Sequence, residues 1–303
     1  MRVLVTGASG FVGQRLVVQL AGSGHDVFAL ARRHIETANG VEPSKSKRGR
    51  ITHVLQDLEK LDTESLPEVD AVISLAQSSL FRDFPDQAQP VFDVNVTANL
   101  KILQWAADAG VRKFVHASSG GIYAGRPGKQ FLETDLLAVD SPLGFYLGTK
   151  LCSEIVFHNF RHFFETSIIL RPFFIYGPGQ RKDMFISRLI ESVRDGRPIS
   201  LQGDNGLRVN PIYVDDAVQA FAAALDVHGP HVINIAGPDT LTLRDVGVMI
   251  GKVVGRDPVF ETRPGSPVDY VGDLSLANEK LGRPRVSFAE GIDLSVRSGL
   301  AKP

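Results

Sequence analysis

The chain has 303 residues, 43% of them apolar and 22% charged, which allows one large or two modest domains and excludes a disordered or fibrous chain. Lys plus Arg total 33 and Asp plus Glu 34, a balance that does not point to a polyanion-binding surface. A single cysteine, Cys152, excludes a disulfide framework or a multi-cysteine metal site and fits a reducing compartment.

Taken in chain order, residues 2–6 are an apolar run of buried-strand type. Residues 11–21 follow with a helical pattern that puts Val12, Leu16, Val17 and Leu20 on one side. Short β-type runs recur at 27–31, 51–55, 71–75 and 114–117. Long helical patterns cover 87–109 and 146–164, and another strand lies at 167–170. This alternation predicts a parallel sheet with helices on both faces. Its strands are continuously apolar because neither face meets water. After Gly177-Pro178-Gly179 the elements shorten. Helices are expected at 184–193, 214–225 and 243–254, the last opened by Thr242 as its cap, and a strand at 232–235. This half reads as a smaller lobe that completes a cleft. No apolar run approaches the ~18 residues a membrane span needs. Val3-Leu4-Val5 is too short for a signal-peptide core, so a cytoplasmic location is expected.

Gly7, Gly10 and Gly13 stand between the first strand and the first helix, in VTGASGFVG. That context is the one in which a glycine triplet lets a pyrophosphate approach the backbone. The first helical turn, with Phe11 and Val12, would aim N–H groups and the positive dipole end at the phosphates. About 20 residues on, an acidic residue would ordinarily hold the ribose hydroxyls. Ala31 stands there, followed by Arg32 and Arg33. A guanidinium suits a 2′-phosphate, so NADP is favoured over NAD, although both arginines can equally be solvated at a strand end. The basic run at 44–50 is read as a solvated loop or as a further phosphate contact.

Tyr146 and Lys150 are four apart at the start of a helical pattern, hence on one face. A tyrosine with a pKa near 10 is a poor base at neutral pH. A neighbouring ammonium or an oxidised nicotinamide would favour its phenolate. Such a phenolate takes a proton from an alcohol while hydride leaves the same carbon. Ser118 and Ser119, just past a strand end, are candidates to hydrogen-bond the substrate oxygen, or to satisfy local backbone groups instead.

TGASGFVG, Tyr146-x-x-x-Lys150, RPFFIYGPGQ and IYVDDAVQA occur in this order. Together they resemble the extended short-chain dehydrogenase/reductase family, within it the NAD(P)-dependent nucleotide-sugar epimerase/dehydratase group, from residue 1 to about 291. The resemblance implies a Rossmann-type doubly wound parallel sheet with a smaller C-terminal α/β substrate-binding lobe. Residues 1–176 with parts of 205–240 would bind NAD(P), and 177–303 would mainly bind substrate. It implies a catalytic hydroxyl at Ser119, the acid/base at Tyr146, and a lysine at Lys150 that orients the nicotinamide ribose. Asp57 and Leu58 match a pair beside adenine, and Leu75, Ala76 and Gln77 a turn under the pyrophosphate. Asn95 matches a residue near the cofactor, Phe173 one at the nicotinamide edge, and Arg263, ten before Asp273, one that binds the nucleotide diphosphate.

The chain departs from the family pattern in three places. Gly120 and Gly121 follow Ser119 where dehydratases and decarboxylases carry acidic or hydroxyl residues. Phe174 replaces an asparagine that contacts the sugar nucleotide. Arg208 lies one residue out of register with a substrate arginine. The expected function is therefore an epimerase or keto-reductase acting at a sugar carbon, C4, of a nucleotide-activated sugar. A reductase of another small ketone and a non-catalytic dinucleotide sensor are the alternatives. His158 and His162 have metal-ligand spacing without a third ligand, and no metal is expected. Phe157, Phe160, Phe163 and Phe164 are read as core or, by the resemblance, as part of a homodimer interface through 87–109 and 146–164. Asp215 and Asp216 are read as cap and first-turn charges.

Overall fold

The computed structural model describes residues 1–35, 49–137 and 144–300. In chain order the chain forms β1 (Arg2–Thr6), α1 (Phe11–Gly22), β2 (Asp26–Ala31), β3 (Ile51–Leu55), β4 (Ala71–Ser74), α2 (Ala88–Phe92), α3 (Ala98–Asp108) and β5 (Lys113–Ala117). There follow β6 (Gln130–Phe131), α4 (Gly144–Phe160), β7 (Thr166–Pro172), α5 (Phe185–Asp195), β8 (Ile199–Gln202), β9 (Arg208–Val209), α6 (Val214–Ala223) and β10 (Gly229–Ile235). The last elements are β11 (Leu241–Thr242), α7 (Leu243–Val254), β12 (Phe260–Arg263), β13 (Val271–Gly272), α8 (Ser275–Lys280) and α9 (Phe288–Leu300).

Seven strands make one sheet in the order β10-β7-β5-β4-β1-β2-β3. The five pairings from β7 to β3 are parallel. Gly229 N donates to Glu165 O and Phe173 N to Ile235 O, so β10 runs the same way as β7. Val3, Leu4 and Val5 are wholly buried, as a sheet covered on both faces requires. This is a Rossmann-type α/β fold. β1 lies between β4 and β2, so chain order reverses at its carboxyl end. That reversal is where such sheets bind ligands.

Two compact units emerge. Unit 1 comprises Met1–Ile122, Pro142–Arg171 and Val218–Ile233, and unit 2 comprises Tyr123–Ser141, Pro172–Ala217 and Asn234–Pro303. The core of unit 1 includes Leu4, Val72, Ile102, Phe114, Phe157 and Ile169. Phe114 packs on Phe157 at 5.5 Å and on Phe164 at 5.3 Å. Unit 2 holds three short strand pairs, β8 with β12, β9 with β11 and β6 with β13. Part of its core is a stack of Tyr123 on Phe131, 4.7 Å between centroids, with Phe173 and Ala236. Tyr123 also donates to Asn234 Oδ1.

Three expectations need correction. The helix expected over 87–109 is interrupted between α2 and α3 by a π-helical turn, Asp93–Thr97, which contains buried Asn95. The helix expected to reach 164 ends at Phe160 and tightens into a 3₁₀ turn, Arg161–Phe163. Phe164 is extended and buried in the core, so apolar burial overrides helical continuation there. His158 and His162 consequently do not share a helix. The cap at Thr242 is formed as a capping box with Asp245. Residues 44–48 of the basic run lie outside the described residues. Among the described residues no helix is long and apolar enough to cross a membrane.

Candidate active site

The three glycines of the first turn answer to three different constraints. Gly7 has φ +66°, and a Cβ on it would lie 2.8 Å from Ala76 Cα, so it seats the β1 turn against the turn after β4. A Cβ on Gly13 would lie 2.3 Å from Gly7 O, so Gly13 lets α1 pack onto that turn. Gly10 caps α1 in an extended conformation without a side-chain hydrogen bond, and the first helical turn has no acidic residue. Phe11 and Val12 open that turn. An uncapped helix start without negative charge, at the reversal point of the sheet, fits a pyrophosphate.

Ser119, Tyr146 and Lys150 all belong to unit 1. Ser119 follows β5, and its Oγ accepts from Gly121 N at 3.2 Å. The hydroxyl proton of Ser119 therefore points elsewhere and can be given to a substrate oxygen. Ser118 is buried, and its hydroxyl has no partner among the described residues. A Cβ on Gly121 would meet the Leu147 side chain at 2.8 Å. Tyr146 is half-buried on α4, and its hydroxyl donates to Gln77 Oε1 at 2.9 Å. Burial pushes its pKa above the usual value. Lys150, one turn on, is buried with Nζ donating to Ala117 O at 3.1 Å. Burial lowers its pKa to about 8, against the charge of Glu154. The expectation that the Lys150 ammonium depresses Tyr146 is not met, because burial is the cause that acts on the phenol.

A buried polar layer holds these groups. Ser78 N donates to Asn95 Oδ1 at 2.9 Å, Asn95 Nδ2 to Thr149 Oγ1 at 2.9 Å, and Thr149 Oγ1 to Tyr146 O at 2.7 Å. The turn after β4, Leu75-Ala76-Gln77-Ser78, is thus tied to the turn of α4 that carries Tyr146. Ser153 Oγ donates to Lys150 O at 2.8 Å, so His116 Nε2 is the donor in its 3.0 Å bond to Ser153 Oγ. Burial, with Lys150 adding to it, lowers the His116 pKa to about 3. Arg171 holds Glu154 with two bonds of 3.0 and 2.7 Å, both side chains being buried. Glu154, four past Lys150, and Arg171 were not singled out from sequence. Their signals were helical spacing and an arginine within an otherwise buried strand.

At the other expected positions, Ala31 is buried at the end of β2, and Arg32 and Arg33 are exposed. Asp57 caps the turn Leu58–Lys60 through Glu59 N. In unit 2, Phe173 is buried against Gly272, where a Cβ would lie 2.6 Å from its ring. Phe174 has φ +45°, a left-handed conformation that asparagine adopts far more readily than phenylalanine. Its ring packs on Phe185 at 4.9 Å and Tyr270 at 5.9 Å. Arg208 is engaged by Asp269 at 2.9 and 2.8 Å. Burial raises that carboxyl, but its bonds from Arg208 and from backbone N–H groups hold it below the usual range. Arg263 ends β12, exposed, 3.4 Å from Glu261.

The model of the NAD dependent epimerase/dehydratase family matches residues 3–236. A UDP-glucuronate 4-epimerase of Thermodesulfobacterium geofontis is 29% identical over 309 residues, covering 97% of this chain and 94% of that protein. A UDP-glucose 4-epimerase of Mycolicibacterium smegmatis is 31% identical over 315 residues, covering 98% and 97%. The solved structure of MoeE5 in complex with UDP-glucuronic acid and NAD superposes with a TM-score of 0.82 at 30% identity, covering 99% of both chains.

Proposed function

Because the chain belongs to the NAD dependent epimerase/dehydratase family, we propose that it interconverts the C4 epimers of a nucleotide-activated sugar with a nicotinamide dinucleotide held in unit 1. The names of its relatives support a UDP-sugar. The observation that carries epimerisation over dehydration or decarboxylation lies beside Ser119. Gly120 and Gly121 follow it, and neither can move a proton.

In this reading Phe11, Val12 and Gly13 present backbone N–H groups to the pyrophosphate, above Leu75, Ala76 and Gln77, while Gly7 and Gly10 shape the turn, the Gly10 N–H being donated to Gly7 O. Asp57 and Leu58 lie at adenine, Asn95 holds the turn beneath the cofactor, and Phe173 marks the nicotinamide edge. Phe174, Arg208 and Arg263 contribute to nucleotide-sugar binding, Arg263 at the diphosphate. When bound, the nicotinamide supplies a reversible hydride acceptor. Tyr146 takes the C4 hydroxyl proton and returns it to the keto oxygen. Ser119 donates a hydrogen bond to that oxygen. Lys150, fixed by Ala117 O, holds the ribose. Exposed Arg32 and Arg33 support NADP over NAD. A homodimer through α2, α3 and α4 and a cytoplasmic location complete the reading.

Purified protein incubated with UDP-glucose and UDP-glucuronic acid is expected to yield C4 epimers without net cofactor turnover. Tyr146→Phe is expected to keep cofactor binding and lower turnover by roughly 10²–10⁴. An unchanged rate would remove Tyr146 from the mechanism, and stoichiometric NADPH consumption would replace epimerisation by net reduction.

A further inference from the structure

Tyr146 can act as a base only as a phenolate, yet its surroundings hold it neutral. Burial raises its pKa, and its hydroxyl donates to Gln77 Oε1 at 2.9 Å. An acceptor that only accepted would oppose ionisation. A carboxamide is different, because it carries an acceptor and a donor on one planar group. We propose that Gln77 is a positioning residue for proton transfer at Tyr146: its amide oxygen accepts from the neutral phenol, and after a half-turn about its last side-chain bond its amide nitrogen donates to the phenolate. The proposal rests on Tyr146 being the acid/base.

The contact is built into the fold, although Gln77 itself is exposed. Ser78, the next residue, is pinned to buried Asn95. Asn95 is bonded to Thr149, and Thr149 to the carbonyl of Tyr146 itself. The turn bearing Gln77 and the turn bearing Tyr146 are therefore stitched together from below. On the ring side, Phe81 lies 4.9 Å from Tyr146, with the Arg82 guanidinium 5.2 Å over Phe81. Lys150, on the same helix, spends a donor on Ala117 O. Among the described residues, Gln77 is the side chain that hydrogen-bonds the hydroxyl.

Protons balance through the cycle. The C4 hydroxyl proton passes to the phenolate, held by the amide nitrogen, as hydride leaves C4. The phenol then donates to the amide oxygen until it returns the same proton to the keto oxygen as hydride comes back. No proton is gained or lost overall.

The test uses oxidised-cofactor-loaded protein without substrate. The phenolate absorbance of Tyr146 is read as the difference between wild type and Tyr146→Phe, titrated to about pH 10. Gln77→Glu keeps an acceptor but no donor, and Gln77→Leu has neither, so both should lose the charge-assisted bond to the phenolate. The midpoint is expected to rise by about one to two pH units, more for Gln77→Glu. With substrate, kcat at neutral pH should fall about 10- to 100-fold with KM little changed, the loss shrinking as pH rises. A merely structural residue would not give that recovery. Equal midpoints in wild type and both variants would overturn the proposal, as would the absence of a Tyr146 phenolate in wild type over that range. A shifted midpoint without turnover of any UDP-sugar would leave the Gln77 assignment standing and defeat the epimerase reading. Turnover with unshifted midpoints would do the reverse.

Discussion

At the scale of single residues, the adenosine end of the cofactor site carries the sharpest question. Ala31 removes the carboxylate that would bond an unphosphorylated ribose, and Arg32 and Arg33 stand exposed beside it. Bonds to charged groups are worth roughly 1.5–3 kcal/mol each, enough for a tenfold to hundredfold preference. NADP(H) is therefore expected to bind more tightly than NAD(H), and less so as salt rises. MoeE5, by contrast, was solved with NAD. Titrating both cofactors into wild type and Arg32→Ala decides the matter. Equal wild-type affinities, or a variant that loses both cofactors alike, would mean that Arg32 stacks on adenine rather than reading the phosphate.

At the scale of elements, the junction of β5, α4 and β7 governs both the site and its tolerance of acid. His116 on β5 bonds Ser153 on α4, and Arg171 on β7 holds Glu154 on α4. Burial keeps His116 neutral, with a pKa of about 3 against 6.5 in the open chain. Between those values the unfolded chain binds the extra proton. The contribution of His116 is then fully present above pH 6.5 and is lost as pH falls toward 3, by at most about 1.4 kcal/mol per pH unit. His116→Gln, which keeps a donor for Ser153, should flatten that part of the acid slope of urea midpoints. An unaltered slope would show that His116 ionises as readily folded as unfolded. Little of this junction was legible beforehand. The buried strands and the glycine turn read directly, because apolar runs and chain reversals are local. Asn95 is reached only through the family resemblance, its partners lying 17 and 54 residues away, and although helical spacing sets Glu154 on the face of Lys150, nothing local reveals that Arg171, 17 residues on, is its partner. The two-residue strands of unit 2 are too short to show alternation. The left-handed backbone at Phe174 is hidden because phenylalanine is a poor signal for it.

At the scale of the whole molecule, several large apolar side chains of α2, α3 and α4 stand exposed, and the proposed dimer would cover them. Phe92, Leu100 and Ile155 are 38%, 39% and 54% exposed, and Phe163, in the turn after α4, is 55% exposed. Burying such groups at about 25 cal/mol per Å² is the ordinary driving force of a dimer. Sedimentation is expected to give a dimer for wild type and a monomer for Ile155→Asp. A monomeric wild type would remove the interface.

The central claim is reversible hydride transfer at C4 with the cofactor retained, and C4-deuterated UDP-glucose or UDP-glucuronic acid tests it most directly. Magnetic resonance of the product mixture should show both C4 epimers, each with deuterium still on C4, and no NAD(P)H accumulating in solution. Epimers that have exchanged the deuterium for solvent hydrogen, or the absence of any epimer from both sugars, would contradict the account.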